Sequence, residues 1–180
     1  AEESNMMDLL GNWIIEQVFR EMNSLFEDNS PFIQVSINLS ISQLQSPVLV
    51  DSIEKIKANY RFDHAPIALE VTENSALSGN KNIKSNLYAL TQLGYPLHMD
   101  DFGMGHSSLL YLKEHTFDTL KLDGSLVRDI LYNTISQEIV SSIMQLSKSL
   151  DFKVIAEYVE TIEQRDKLHA LGCDQYQGYL

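Results

Sequence analysis

The stretch Pro96-Leu97-His98-Met99-Asp100-Asp101-Phe102-Gly103-Met104-Gly105-His106 reads as a short apolar strand that runs into two adjacent acids and a Gly-rich loop. Such a junction, with ionisable residues at the strand end and glycines after it, marks the passage from a strand to a helix in a β/α unit. The same junction recurs in both directions. Upstream, residues 32–39 read as a strand with Asn38 near its end, and residues 67–72 as a strand carrying Glu70. Downstream, residues 119–123 end in Lys121 and Asp123, residues 153–157 end in Glu157, and residues 173–179 begin a further strand-like stretch that reaches Gln177.

Helical patterns fill the intervals. Leu9, Leu10, Trp13, Ile14, Val18, Met22 and Leu25 recur at helical spacing over residues 6–26. Ser40-x-x-Gln43 and Thr161-x-x-Gln164 have the spacing of capping boxes. Ser46-Pro47 predicts an N-cap and first helical residue for a helix to about Asn59, and Ser107 a cap for a short helix over 108–113. Helices over 82–93 and 135–150, and one after Thr161, complete the set, with Gly94 and Gly172 as stops. About six β units, five followed by helices, predict parallel strands with crossover helices. Two architectures suit that rhythm, the doubly wound sheet and the (β/α)8 barrel. No phosphate-binding G-x-G-x-x-G or G-x-x-x-x-G-K-[ST] stands at a strand–helix junction, which weakens the first.

Composition narrows the function. Thirteen Lys and Arg against twenty-five Asp and Glu give a net charge of −12 over 180 residues. A surface this acidic repels phosphate backbones, so a nucleic-acid polymer is not an expected partner. A small phosphorylated ligand remains compatible, because a bound divalent cation inverts the local charge. The single cysteine, Cys173, excludes a disulfide scaffold and reads as a small buried apolar residue. No apolar run approaches the ~20 residues of a membrane span, and the first residues lack signal-peptide shape. A cytoplasmic domain is expected, with membrane tethering of a longer parent protein left open.

In a (β/α)8 barrel the strand C-termini converge on one face, where active sites lie. That face would gather Asn38, Glu70, Asp100, Asp101, Lys121, Asp123, Glu157 and Gln177. An amide oxygen and several carboxylates are hard donors suited to Mg²⁺ or Mn²⁺. Adjacent acids repel without a cation, and can instead serve two metals. Glu157 is a spare carboxylate able to take a proton from water. The set points to metal-assisted hydrolysis of a phosphate ester or diester. A lysine flanked by acids at a barrel strand end also admits Schiff-base chemistry of the class I aldolase type.

The chain resembles the EAL domain family, bacterial phosphodiesterases that hydrolyse cyclic di-GMP. The resemblance runs through Asn38-Leu39-Ser40, Glu70-Val71-Thr72-Glu73, Asp100-Asp101-Phe102-Gly103 with Gly105 and Ser107-Ser108-Leu109, Lys121-Leu122-Asp123, Ala156-Glu157 with Val159-Glu160, and Gln177-Gly178-Tyr179. It implies one domain over residues 1–180 with a TIM-like (β/α)8 barrel, incomplete here at about six units, whose first strand is antiparallel to the rest. It implies one or two Mg²⁺ or Mn²⁺ ions on Asn38, Glu70 and Asp100, with Asp101 serving a second ion. Glu157 would be the general base and Lys121 would orient the attacking water. Asp123 and Gln177 would complete the metal and substrate shell, and Glu73 would hold the loop after Asp101. The product would be linear pGpG, and a homodimer through the domain and fusion to GGDEF or sensory domains are expected of the parent.

The Glu-Ala-Leu signature and the arginine-bearing stretch after it are absent, so a fragment lacking about two strands and one metal-binding Glu is expected, and the missing Glu leaves activity of the fragment itself an open expectation. Met104, His106, Gly124, Leu126 and Tyr158 depart from the family pattern at positions where it has Thr, Tyr, a basic residue, Phe and Gly. The alternative is an EAL-like module that binds cyclic di-GMP or a protein without hydrolysis.

Overall fold

The computed structural model describes residues 6–27, 33–62, 66–103, 112, 117–173 and 175–180. Met104, His106 and, apart from Leu112, the short helix expected over 108–113 lie outside them. In chain order the elements are α1 (Met6–Glu27), β1 (Val35–Asn38), α2 (Ile41–Gln45), α3 (Leu49–Lys57), β2 (Ile67–Thr72), α4 (Glu73–Ala76), α5 (Lys81–Gln92), β3 (Leu97–Phe102), β4 (Thr119–Leu122), α6 (Gly124–Val127), α7 (Thr134–Leu150), β5 (Lys153–Ala156), α8 (Ile162–Ala170) and β6 (Gln175–Tyr176). They fall into two compact units, Ala1–Val71 with Ser78–Leu97 and Thr72–Leu77 with His98–Leu180.

In the first unit β1 pairs parallel with β2, from Val35 opposite Ile67 to Asn38 opposite Glu70. Residues Ile67–Val71 are buried without alternation, as expected of a parallel strand covered on both faces. The apolar stripe of α1 that enters the core is Ile15, Phe19 and Met22. Of the residues picked out by helical spacing, Met22 is buried, whereas Trp13 is 57% exposed and Leu9, Leu10, Ile14 and Leu25 are exposed as well. The helix is apolar on two sides, and Phe19 decides between them by packing against Tyr60 and Phe62 at ring-centroid distances of 6.0 and 5.5 Å.

The capping box of α2 forms: Gln43 N–H donates to Ser40 Oγ, and Ser40 N–H donates to the Gln43 side chain. The expected Ser46-Pro47 helix start does not form. Ser46 is spent closing α2, its N–H on the Gln43 carbonyl and its own carbonyl accepting from Asn86 Nδ2 at 2.8 Å. Consequently α3 starts at Leu49 behind Val48, which offers no side-chain cap. Asn82 and Asn86 of α5 also donate to the Gln45 and Leu44 carbonyls at 2.9 Å, satisfying acceptors that a helix end leaves open.

In the second unit β3, β4, β5 and β6 pair in that order, each parallel to the next. No antiparallel pair occurs among the described strand registers. β4 is buried along its whole length. The α7 helix starts at Asn133, whose side chain accepts from Ile135 and Ser136, and stops at Asp151 in the left-handed region at φ 59°. The Thr161–Gln164 capping box forms at α8, and the turn after α8 passes through Gly172 at φ 98°. Two one-turn helices, α4 and α6, follow strand ends and were not visible as periodicity. They are capped by the side chains of Thr72 and Asp123. No described helix is long and apolar enough to cross a membrane.

Candidate active site

The two adjacent acids acquire a common direction from a break in the β3 ladder. Met99 stands opposite Leu120 and Phe102 opposite Leu122, so β3 spends one residue more than β4 over that interval, a β-bulge. Asp101 takes up the excess in the left-handed region, φ 57°, and its N–H donates to Asp100 Oδ1 at 3.0 Å. In a regular strand neighbouring side chains point to opposite faces. Here a carboxylate oxygen from each of Asp100, Asp101 and Glu157 lies within 4.8 Å of the others.

Lys121 enters this cluster from β4. Its Nζ is 3.2 Å from Asp100 Oδ1 and 2.7 Å from Glu157 Oε1, and the residue is only 5% exposed. Burial pushes the Glu157 carboxyl above its ordinary value; Lys121 opposes that shift, and the charges of Asp100 and Asp101 reinforce it. Burial, then Asp100, then Asp123 raise Asp101, with Lys121 in opposition. Asp123 behaves differently. Burial alone would raise it, but hydrogen bonds from Ser125 and Gly124 and the charge of Arg128 hold it below the usual range. More negative charge converges here than one lysine balances. The donors are all carboxylate oxygens, the class preferred by Mg²⁺ and Mn²⁺, so the residues present fit a hard divalent cation.

The remaining expected site residues occupy strand ends as follows. Asn38 and Glu70 lie opposite each other in the first unit, Asn38 exposed and Glu70 buried. Asp123 follows β4, with its N–H on the Phe102 carbonyl and its Oδ1 accepting from Ser125. Gln177 is exposed beyond β6, donating to the Ala156 carbonyl at 2.8 Å and accepting from Val159 N–H at 3.1 Å. Glu73, 2% exposed, accepts from Gly103 N–H through Oε2 at 3.1 Å, and its Oε1 is buried without a hydrogen bond. Gly178 makes the Gln177 segment possible. A Cβ there would stand 2.1 Å from the Val159 carbonyl oxygen and 2.5 Å from its nitrogen. Gly178→Ala is therefore expected to break the Val159–Gln177 bond and cost about 1–3 kcal/mol, the usual penalty of overpacking. A melting curve matching wild type would contradict this.

The EAL domain family model matches residues 1–180. The chain belongs to the EAL domain family. The signaling protein YkoW of Bacillus subtilis is 35% identical to this EAL domain over 180 residues, covering all of the chain and 22% of YkoW. The cyclic di-GMP phosphodiesterase PdeR of Escherichia coli is 33% identical over 180 residues, covering 100% of the chain and 27% of PdeR. The EAL chain thus spans about a quarter of the length of these curated relatives. The structure of the PaMucR phosphodiesterase in complex with c-di-GMP superimposes with a TM-score of 0.92 at 32% identity, covering 100% of this chain and 73% of that one. The fold is accordingly that of a TIM-like EAL barrel, of which the described residues carry six strands and their helices.

The sequence offered no sign of the bulge at Asp100-Asp101, nor of the ring of Tyr158 packed against Gly124 and Arg128. Its only hint of the latter was an aromatic residue where the family has glycine.

Proposed function

We propose that residues 1–180 form a single EAL-type phosphodiesterase domain that hydrolyses cyclic di-GMP to linear pGpG with Mg²⁺ or Mn²⁺. The observation that carries this reading is the convergence of Asp100, Asp101 and Glu157 around the buried Lys121. PdeR, a cyclic di-GMP phosphodiesterase, and the PaMucR phosphodiesterase in complex with c-di-GMP support the substrate. Asp100 and Asp101 are the metal donors of the second unit, with Asp123 beside them. Asn38 and Glu70, paired in register, supply an amide and a carboxylate of the same hard class. When bound, a divalent cation offsets the charge of the acids and the phosphodiester and lowers the pKa of coordinated water.

The chain's own residues divide the rest. Glu157 takes the proton of the attacking water, whose oxygen bonds to phosphorus as the bond from phosphorus to one ribose oxygen breaks. The departing oxygen takes a proton from solvent. The raised Glu157 carboxyl suits a proton acceptor, because base strength grows with pKa. Lys121 fixes that carboxylate and holds positive charge near the developing phosphorane. Engaged as a cation by two carboxylates, its amine is ill placed for Schiff-base formation. Gln177 contacts the substrate and Glu73 fixes the backbone at Gly103. Homodimerisation and fusion to GGDEF or sensory domains remain part of this proposal.

The test uses the full-length protein with cyclic di-GMP and either metal, and follows product by chromatography. Appearance of pGpG that EDTA abolishes is expected. Binding without product under both metals would replace catalysis with the receptor reading.

A further inference from the structure

Tyr158 has a backbone conformation that its side chain disfavours. Its φ is 55°, in the left-handed region, where a Cβ crowds the following carbonyl oxygen. Strain of that kind persists only where the surroundings impose it. The flanking amides are both tied. Glu157 N–H donates to the Leu122 carbonyl at 3.2 Å, and Val159 N–H donates to the Gln177 carbonyl at 3.1 Å. As a result Glu157 and Val159 are both buried while Tyr158, between them, is 45% exposed.

The ring is held from α6. A Cβ on Gly124 would stand 2.5 Å from Tyr158 Cδ2 and 2.8 Å from Cγ, so the ring lies closer to that backbone than any larger residue permits. The Arg128 guanidinium carbon lies 4.8 Å from the ring centroid, a cation–π contact. Gly124 and Arg128 stand one and five residues after Asp123, on the segment that β4 and Lys121 lead into. The ring therefore struts the end of β4 against the end of β5, and these two segments carry the two members of the 2.7 Å Lys121–Glu157 pair.

We infer that Tyr158, clamped between the Gly124 backbone and the Arg128 guanidinium, is a positioning residue that sets the Glu157 carboxylate against Lys121. If Glu157 is the proton acceptor proposed above, releasing the ring costs turnover and spares substrate binding. A misplacement of about 1 Å at a reacting group can cost ~10²-fold. The ring is half exposed, so its packing alone is a modest contribution to stability, and the kinetic effect should exceed the thermal one.

The experiment compares the full-length wild type with Tyr158→Gly, Tyr158→Phe, Gly124→Ala and the Gly124→Ala/Tyr158→Gly double variant. Tyr158→Gly tolerates φ 55° but has no ring to clamp. It should lower kcat about tenfold or more with KM within about twofold. Tyr158→Phe restores the ring and should restore kcat. Gly124→Ala should lower kcat like Tyr158→Gly, and the double variant should be no worse than Tyr158→Gly, because the added methyl then meets no ring. Amide hydrogen exchange, which does not depend on turnover, should accelerate at Glu157 and Val159 in Tyr158→Gly and Gly124→Ala, but not in Tyr158→Phe. Strictly additive losses, a loss confined to KM, or unchanged exchange in Tyr158→Gly would each overturn the inference. Absence of turnover in wild type would instead sink the hydrolytic reading and leave the exchange measurement to decide this one.

Discussion

Glu157→Gln in the full-length protein is expected to bind cyclic di-GMP and leave it intact. Gln has the shape of Glu and its amide oxygen can still accept from Lys121 Nζ, now 2.7 Å from Glu157 Oε1. The fold and the ligand surface therefore survive, and only the ability to take a proton is lost. General-base assistance is typically worth 10²–10⁴-fold, so kcat should fall by that range with the dissociation constant little changed. Stability should move in the other direction. The folded-state pKa of Glu157 is raised, chiefly by burial. A carboxyl raised in this way stabilises the fold below its unfolded pKa, and that contribution is lost as pH rises through the folded value. At neutral pH the ionised group is thus a burden, and the neutral amide should leave the melting temperature of the metal-free protein unchanged or higher. Product chromatography, calorimetry with cyclic di-GMP and a melting curve read all three. Retained turnover would remove Glu157 from the reaction.

The strands and the two capping boxes were legible in the sequence because each rests on a local cause. The boundaries of β2 follow from an apolar run, and the Ser40 and Thr161 caps from a side chain three residues ahead of its partner. Gly94 and Gly172 stop helices because their φ of 92° and 98° are open to glycine at no steric cost. What escaped was set by tertiary partners. The bulge at Asp100-Asp101 exists only by reference to β4, and no pattern within residues 96–106 encodes a residue count on another strand. Ser46 looked like a helix start until Asn86, forty residues away, claimed its carbonyl. The buried side of α1 was chosen by the aromatic pair Tyr60 and Phe62, since the helix offers apolar residues on both sides. The strand ends named the residues of the candidate site, and the resemblance assigned their roles and added Glu73. The close grouping of Asp100, Asp101, Lys121 and Glu157 came from the fold.

The same cluster predicts the largest loss of stability from one substitution. Lys121→Met keeps the length and apolar stem of the side chain and deletes its charge. In the folded protein the ammonium stands 3.2 Å from Asp100 and 2.7 Å from Glu157, whose side chains are 17% and 11% exposed. Asp101 adds a third carboxylate, within 4.8 Å of the other two. Removing one partner of a buried ion pair is far costlier than removing both, because the charge left behind is neither solvated nor paired. The usual loss is about 3–5 kcal/mol. At about 2–4 °C per kcal/mol for a domain of this size, the melting temperature of the metal-free protein should fall by roughly 6–20 °C. The sign of the pH dependence follows. Without Lys121, which lowers the Asp101 and Glu157 pKa values, both should rise further, so the fold regains stability as pH falls and these carboxyls protonate. A divalent cation also compensates the acids, so Mg²⁺ or Mn²⁺ should recover more stability in Lys121→Met than in wild type, while turnover stays lost. Melting curves with and without metal at two pH values check each part. A variant as stable as wild type in EDTA at neutral pH would mean that Lys121 does not neutralise the acids around it, and the charge balance assigned to this cluster would be wrong.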